Sequence, residues 1–104
     1  MSDMKIFDLS GKKALVTGGS IGIGRGFALA LAQAGADVAI VARNEVAGSS
    51  VVEEIKAMGR ESLFVKCDVS AKDQVQNMVQ TVVKQFCRLD IGVNNGGKIG
   101  RAHV

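Results

Sequence analysis

A chain of 104 residues is long enough for one small domain and too short for two. Its composition, 47% hydrophobic and 22% charged, is that of an ordinary globular domain, and a net charge of +3 scattered along the chain excludes a nucleic-acid footprint. No apolar run approaches the roughly eighteen residues that a membrane span needs, and Met1-Ser2-Asp3-Met4-Lys5 leads into a polar stretch with no signal-peptide core. The location expected from this is the cytoplasm. The two cysteines, Cys67 and Cys87, fit the spacing of neither a metal site nor a redox pair, and are expected to be buried or half-buried thiols.

Residues Met1 to Ser10 form a lead-in, punctuated by Gly11-Lys12-Lys13. Ala14 to Thr17 is predicted as a buried strand. A glycine-rich turn follows, then a helix from Arg25 to about Ala34, with Phe27, Leu31 and Ala34 on one stripe, alanines that allow close packing on a sheet, and Gly35 as its stop. Asp37 to Ala42 lacks polar alternation, which predicts a parallel strand buried on both faces. Asn44 is the predicted N-cap of a second helix running to about Met58, with Val51, Ile55 and Met58 at helical spacing. Gly48-Ser49-Ser50 argues against helix, whereas Gly59 closes it well.

Ser62 to Cys67 is the third predicted strand. Ser70-Ala71-Lys72-Asp73 reads as a capping box with Asp in place of Glu. Val75, Met78, Val79, Val82, Val83 and Phe86 then mark one face of a long helix, and Leu89 to Asn94 is strand four. This alternation predicts an α/β fold with a parallel sheet and right-handed crossovers. No internal repeat, low-complexity segment or linker is visible.

The chemistry concentrates in Thr17 to Gly24. A strand, a glycine turn and a helix bring backbone N–H groups and a helix dipole onto a nucleotide pyrophosphate. The generic G-x-G-x-x-G fingerprint is not met, because Phe27 stands where its third glycine would be. What stands is Thr17-Gly18-x-x-x-Gly22-x-Gly24. With this spacing the chain resembles the N-terminal part of a short-chain dehydrogenase/reductase. Three further landmarks agree: Phe7-Asp8-Leu9-Ser10-Gly11-Lys12 before strand one, Cys67-Asp68-Val69 after strand three, and Asn94-Asn95-Gly96-Gly97 after strand four, where the family has N-N-A-G.

The resemblance implies a partial Rossmann-type sheet of about four strands, order 3-2-1-4, with three helices. It implies that Gly18, Ser20, Ile21, Gly22, Ile23 and Gly24 cradle the pyrophosphate region. Asp68 and Val69 frame the adenine, and Asn94, Asn95 and Gly96 support the adenosine ribose. Blander roles exist for some of these: Asp68 ends a strand and starts a turn, and Asn94 and Asn95 tie neighbouring loops. Arg43 lies just after strand two, where an NAD-specific protein places an acid for the ribose 2′-OH. A guanidinium there suits a 2′-phosphate, so Arg43, with Asn44, favours NADP(H) over NAD(H). Against this, Ile21 stands where some NADP-preferring members carry a second basic residue.

Members of the family use an Asn, a Ser and a Tyr-x-x-x-Lys pair for catalysis, and this sequence contains no tyrosine. No catalytic residue is therefore assigned. The chain is expected to be a single truncated domain, residues 1–104, that binds a dinucleotide and neither nucleic acid nor membrane, and is inactive alone. The alternative is a non-catalytic nucleotide-binding or interaction module. Strand four is expected to be an open edge, with the helix from Ala71 to Phe86 on the opposite face from the other two. The interface helices of the usually homo-oligomeric family are absent. Gly92 within strand four and the tail from Lys98 to Val104 depart from the family pattern, as a truncated, frame-shifted or degenerate product would. Lys98, Arg101 and His103 are read as tail residues.

Overall fold

In the computed structural model of the chain, residues 8–18, 22–68 and 71–95 are described. The elements run β1 (Lys13–Thr17), α1 (Gly22–Gln33), β2 (Asp37–Ala42), α2 (Glu45–Ala57), β3 (Ser62–Lys66), α3 (Lys72–Phe86) and β4 (Ile91–Asn94). The sheet has the order β3-β2-β1-β4. Every pairing is parallel, with Leu15 opposite Ala39 and Gly92, and Ala39 opposite Leu63. This is the α/β Rossmann-type arrangement, and the winding reverses after β3.

The central strands explain that reversal. Ala14, Val16, Val38 and Ile40 point to one face and pack under α1 and α2, around Ala28, Ala32, Val51, Val52 and Ile55. Leu15, Ala39 and Val41 point to the other face, under Met78, Val82 and Phe86 of α3. Strands apolar on both faces need helices on both faces. Each fully buried side chain such as Ile40 or Ile55 contributes roughly 1.5–3 kcal/mol.

The helix ends differ in detail from the sequence reading. α1 begins at Gly22, three residues before Arg25, because the glycines of the turn form its first turn. Its buried stripe is Gly24, Ala28 and Ala32 rather than Phe27, Leu31 and Ala34. Small residues let the helix sit close on the sheet, and Phe27 is displaced to a flank. Both α1 and α2 stop in Schellman turns: Ala36 N–H donates to Leu31 O (3.0 Å) past Gly35, and Arg60 N–H to Ile55 O (3.4 Å) past Gly59. Asn44 does cap α2, its side chain accepting from Ala47 N–H at 3.0 Å.

α2 also runs through Gly48 without a break. A Cβ there would fall 2.2 Å from the Phe64 ring, so the glycine is what lets β3 pack against the helix. The expected capping box is not the cap of α3. Its N-cap is Ala71, which makes no side-chain cap bond, and Ser70 lies outside the described residues. The expected apolar face of α3 is split: Met78, Val82 and Phe86 are buried, while Val79 and Val83 remain 37% and 38% exposed. Met58, at helical spacing with Val51 and Ile55, is the C-cap of α2 and exposed where those two are buried. Among the described residues no helix is long and apolar enough to cross a membrane.

Candidate nucleotide-binding site

All four strands are parallel, so Thr17, Ala42, Lys66 and Asn94 end at the same edge of the sheet. The chain leaves β1 toward β2 on one side, while β4 lies on the other. In open α/β sheets a ligand crevice opens at such a reversal, outside the carboxyl ends of the strands. The residues singled out from the sequence, so far as they are described, gather on this edge. Ser20, Ile21, Val69 and Gly96 lie outside the described residues.

The centre is the join between β1, the start of α1 and the end of β4. Gly18 N–H donates to Val41 O at 2.8 Å, tying the exit of β1 to β2. Asn95 N–H reaches back to Thr17, 3.1 Å from its hydroxyl and 3.3 Å from its carbonyl oxygen. The hydroxyl of Thr17 has Asn94 Oδ1 at 3.2 Å and Val93 O at 3.4 Å as acceptors. The Asn95 amide lies 3.5 Å from Gly18 O, a long contact. Asn94 and Asn95 therefore act as ties between strand ends, the blander of their two sequence readings, and hold the turn from the β4 side.

The three motif glycines do different work. Gly18 has φ +67°, and a Cβ there would approach the Asn95 carbonyl oxygen at 3.2 Å. Gly24 is buried, and a Cβ there would lie 2.0 Å from Gly18 O. Gly22 has φ +60° with open space where its Cβ would be. Thus Gly18 and Gly24 fit the exit of β1 against the start of α1, and among the described residues nothing lies where a Cβ of Gly22 would be, at the helix N-terminus. The first N–H groups of an α-helix have no partner within the helix. The first turn of α1 carries no acidic residue, so no carboxylate of that turn opposes an anion. Ile23 beside it is 73% exposed. This cradle fits a pyrophosphate.

Arg43 follows β2 directly, is exposed, and makes no hydrogen bond or ion pair with another described residue. Asn44 Oδ1 accepts the cap bond of α2, and its side-chain NH2 remains as the donor suited to a phosphate oxygen. Glu45, in the first turn of α2, places a carboxylate next in sequence. On the third strand, Cys67 N–H donates to Ala42 O at 3.1 Å. Asp68 N–H donates to Gln74 Oε1 at 2.9 Å, and Asp68 O accepts from Ala71 N–H at 3.0 Å, which fixes the turn that carries Asp68. Burial and then the neighbouring Asp68 charge push the Cys67 thiol up, so it stays protonated and inert.

Sequence reasoning missed Gln74, which organises the Asp68 turn, and the joining role of the Thr17 hydroxyl. The second had a signal, a lone hydroxyl closing an apolar strand. The opposite edge of the sheet holds a charge network with a structural role. Lys13 Nζ meets Asp37 Oδ2 at 2.6 Å and lies 5.4 Å from the centre of the Phe86 ring. Asp37 also accepts from Glu61 N–H at 2.9 Å. Asp90 accepts from Lys13 N–H at 2.8 Å and Arg88 Nε at 2.9 Å, and Arg88 reaches Gly11 O.

Known proteins share this arrangement. The short chain dehydrogenase family matches residues 12–104. The 2-dehydro-3-deoxy-D-gluconate 5-dehydrogenase of Pseudoalteromonas atlantica is 46% identical over 97 residues, which are 92% of this chain and 38% of that protein. The crystal structure of a short chain dehydrogenase from Burkholderia cenocepacia in complex with NADP superposes with a TM-score of 0.84 at 45% identity, over 92% of this chain and 39% of that one. A hydroxysteroid dehydrogenase from Escherichia coli gives a TM-score of 0.85 at 32% identity, over 91% of this chain and 40% of its own. The chain thus spans about two fifths of the length of these relatives. It is a member of the short-chain dehydrogenase/reductase family of oxidoreductases, carrying the family's Rossmann-type nucleotide-binding fold.

Proposed function

We propose that these residues form the cofactor-binding part of an NADP(H)-dependent short-chain dehydrogenase/reductase that interconverts an alcohol and a carbonyl compound. The observation that supports this best is the pairing, on one edge of the sheet, of the N-terminus of α1 at Gly22, open among the described residues, with the guanidinium of Arg43, which has no hydrogen-bond or ion-pair partner among them. The first is suited to a pyrophosphate, the second to a 2′-phosphate that a carboxylate would repel. A relative solved with NADP is consistent with that choice.

On this reading the turn Gly18 to Gly24, with Ser20, Ile21 and Ile23, receives the pyrophosphate region. Arg43 and the Asn44 amide take the 2′-phosphate, Asp68 and Val69 bound the adenine, and Asn94, Asn95 and Gly96 brace the ribose. When bound, the cofactor supplies hydride chemistry. These residues bind and orient it, and none of them moves the substrate proton. The sequence has no tyrosine, so the family's proton-transfer residue is not among these 104 residues. The relatives named above act on a sugar acid and a hydroxysteroid. The substrate of this protein is therefore left open. The cytoplasm suits the reading, since Cys67 and Cys87 are both free thiols.

The test is amide chemical-shift mapping with NADP+. Shifts confined to Gly18, Gly22 to Arg25, Arg43 to Glu45 and Asp68 support the reading. Saturable binding elsewhere, or none at millimolar cofactor, overturns it.

A further inference from the structure

β3 is an edge strand with half of its backbone groups turned away from the sheet. Among the described residues it pairs only with β2. Val38 N–H donates to Glu61 O and Cys67 N–H to Ala42 O, both at 3.1 Å, so the odd-numbered residues from 61 to 67 turn their backbone groups toward β2. Ser62, Phe64 and Lys66 turn theirs outward, which makes the edge a template for one more strand. Its side chains are apolar on both faces: Phe64 is half-buried with α1 and α2, and Leu63 and Val65 with α3.

The edge is complementary to itself. A second copy of β3, run antiparallel about a two-fold axis through Phe64, pairs the strand over its whole length. Phe64 exchanges both backbone bonds with Phe64 of the other copy, and Ser62 exchanges both with Lys66. Leu63 stands opposite Val65 on one face and Phe64 opposite Phe64 on the other, so apolar meets apolar on each.

The helix above the edge matches in the same sense. α2 covers β2 and β3, with Gly48 against Phe64. Strands stand about 4.8 Å apart, so the α2 axes of two copies joined through β3 would be about 10 Å apart. Packed helices stand roughly 8–10 Å apart. Glu54 turns toward α1, where it holds Arg25. Lys56, two residues on and about 200° round the helix, turns toward the open edge, and Glu45 and Ser49 share its flank. Two-fold-related helices run antiparallel, so Glu45 of each copy faces Lys56 of the other across the small Ser49 side chains. Both residues are exposed, and neither forms an ion pair with another described residue. α3 stands further back, over Leu15, Ala39 and Val41, and leaves the approach clear.

We infer that the β3 edge and this flank of α2 form a docking surface for a second copy of the chain, joined about a two-fold axis into one continuous sheet. One strand and one helix flank per copy make a small interface, so association depends on concentration. The experiment is sedimentation equilibrium of the 104-residue chain over a concentration series, with residue-resolved hydrogen exchange at both ends of the series. A monomer–dimer equilibrium is expected. In the dimer the amides of Ser62, Phe64 and Lys66 slow, while those of Leu63 and Val65, already bonded to β2, change little. Lys56→Glu sets two carboxylates side by side and weakens the dimer about tenfold or more. Glu45→Lys added to it restores the pairing in reverse and recovers most of the loss. Ser49→Arg, on the same flank, also weakens the dimer, and Ser50→Arg, on the outer face of α2, leaves it unchanged. The proposal is overturned by a monomer at every concentration, by a dimer whose slowed amides lie in β4 rather than β3, by a double variant no tighter than Lys56→Glu alone, or by equal effects of Ser49→Arg and Ser50→Arg.

Discussion

The carbonyl oxygen of Gly18 occupies the place that a Cβ on Gly24 would need: the two would be 2.0 Å apart. The last glycine of the motif is thus required by the fold of the turn itself, whatever binds above it. Two residues along the same helix, Gly26 has open space around its missing Cβ.

These two glycines give opposite expectations for the same substitution. Gly24→Ala forces the first turn of α1 away from the β1 exit and lowers stability by about 1–3 kcal/mol, as overpacking does. Gly26→Ala raises it by about 0.5–1 kcal/mol, the ordinary gain of alanine over glycine in a helix. Urea denaturation of the two variants checks both signs.

Thr17→Val removes the hydroxyl that joins β1 to the end of β4 and keeps the shape of the side chain. Asn95 N–H retains the Thr17 carbonyl as an acceptor at 3.3 Å. The expected cost is therefore that of one net hydrogen bond, about 1 kcal/mol. Faster hydrogen exchange at Asn95 than at residues of α2 would localise the effect.

The Lys13–Asp37 pair sets the pH limits of stability at the lower edge of the sheet. Burial raises the Asp37 pKa, but hydrogen bonds from Lys13 and Glu61 N–H, together with the charges of Lys13 and Arg60, outweigh it and hold the carboxyl below its ordinary value. The Asp37 hydrogen bond raises Lys13 above its ordinary value, against the opposing effect of burial. Because the folded pKa of Asp37 is depressed, its contribution is complete above about pH 4 and is lost as pH falls through the folded value. Because that of Lys13 is raised, its contribution is complete below about pH 10 and is lost as pH rises through the folded value. Asp90, held down by Lys13 N–H and then Arg88, adds to the acid limb. Thermal denaturation from pH 2 to 11 should show a plateau between these limits. Asp37→Asn should lower the plateau and flatten both limbs, since it removes the partner of Lys13 as well.

Much of this fold was legible because its signals are local. The unbroken apolar runs at Ala14 to Thr17 and Asp37 to Ala42 require a sheet covered on both faces, and Asn44 and Gly59 mark their helix ends by side-chain and backbone chemistry. What escaped was set by distant partners. Gly48 reads as a helix breaker until Phe64, sixteen residues on, is seen against it. The alanines of α1 signal close packing on a sheet, but that Ala28 and Ala32, rather than the stripe of Phe27 and Leu31, make the contact depends on where the sheet lies. The join of β1 to α1 was legible through its glycine spacing, whereas the roles of Gln74 and the Thr17 hydroxyl depend on which strand ends lie together.

On the proposed reading Arg43 carries the choice of cofactor. Arg43→Ala should weaken NADP(H) binding by the worth of hydrogen bonds to a charged group, about 1.5–3 kcal/mol, or roughly ten- to a hundredfold. NAD(H) binding should change little, since it has no 2′-phosphate. Glu45→Gln, which removes the neighbouring carboxylate, should tighten NADP(H) modestly. Parallel titrations of each variant with the two cofactors check this.

The most direct measurement is calorimetric titration of the 104-residue chain with NADPH and NADH at one ionic strength. The account predicts saturable binding of both, with NADPH the tighter by at least tenfold. Equal dissociation constants, or tighter binding of NADH, would contradict it.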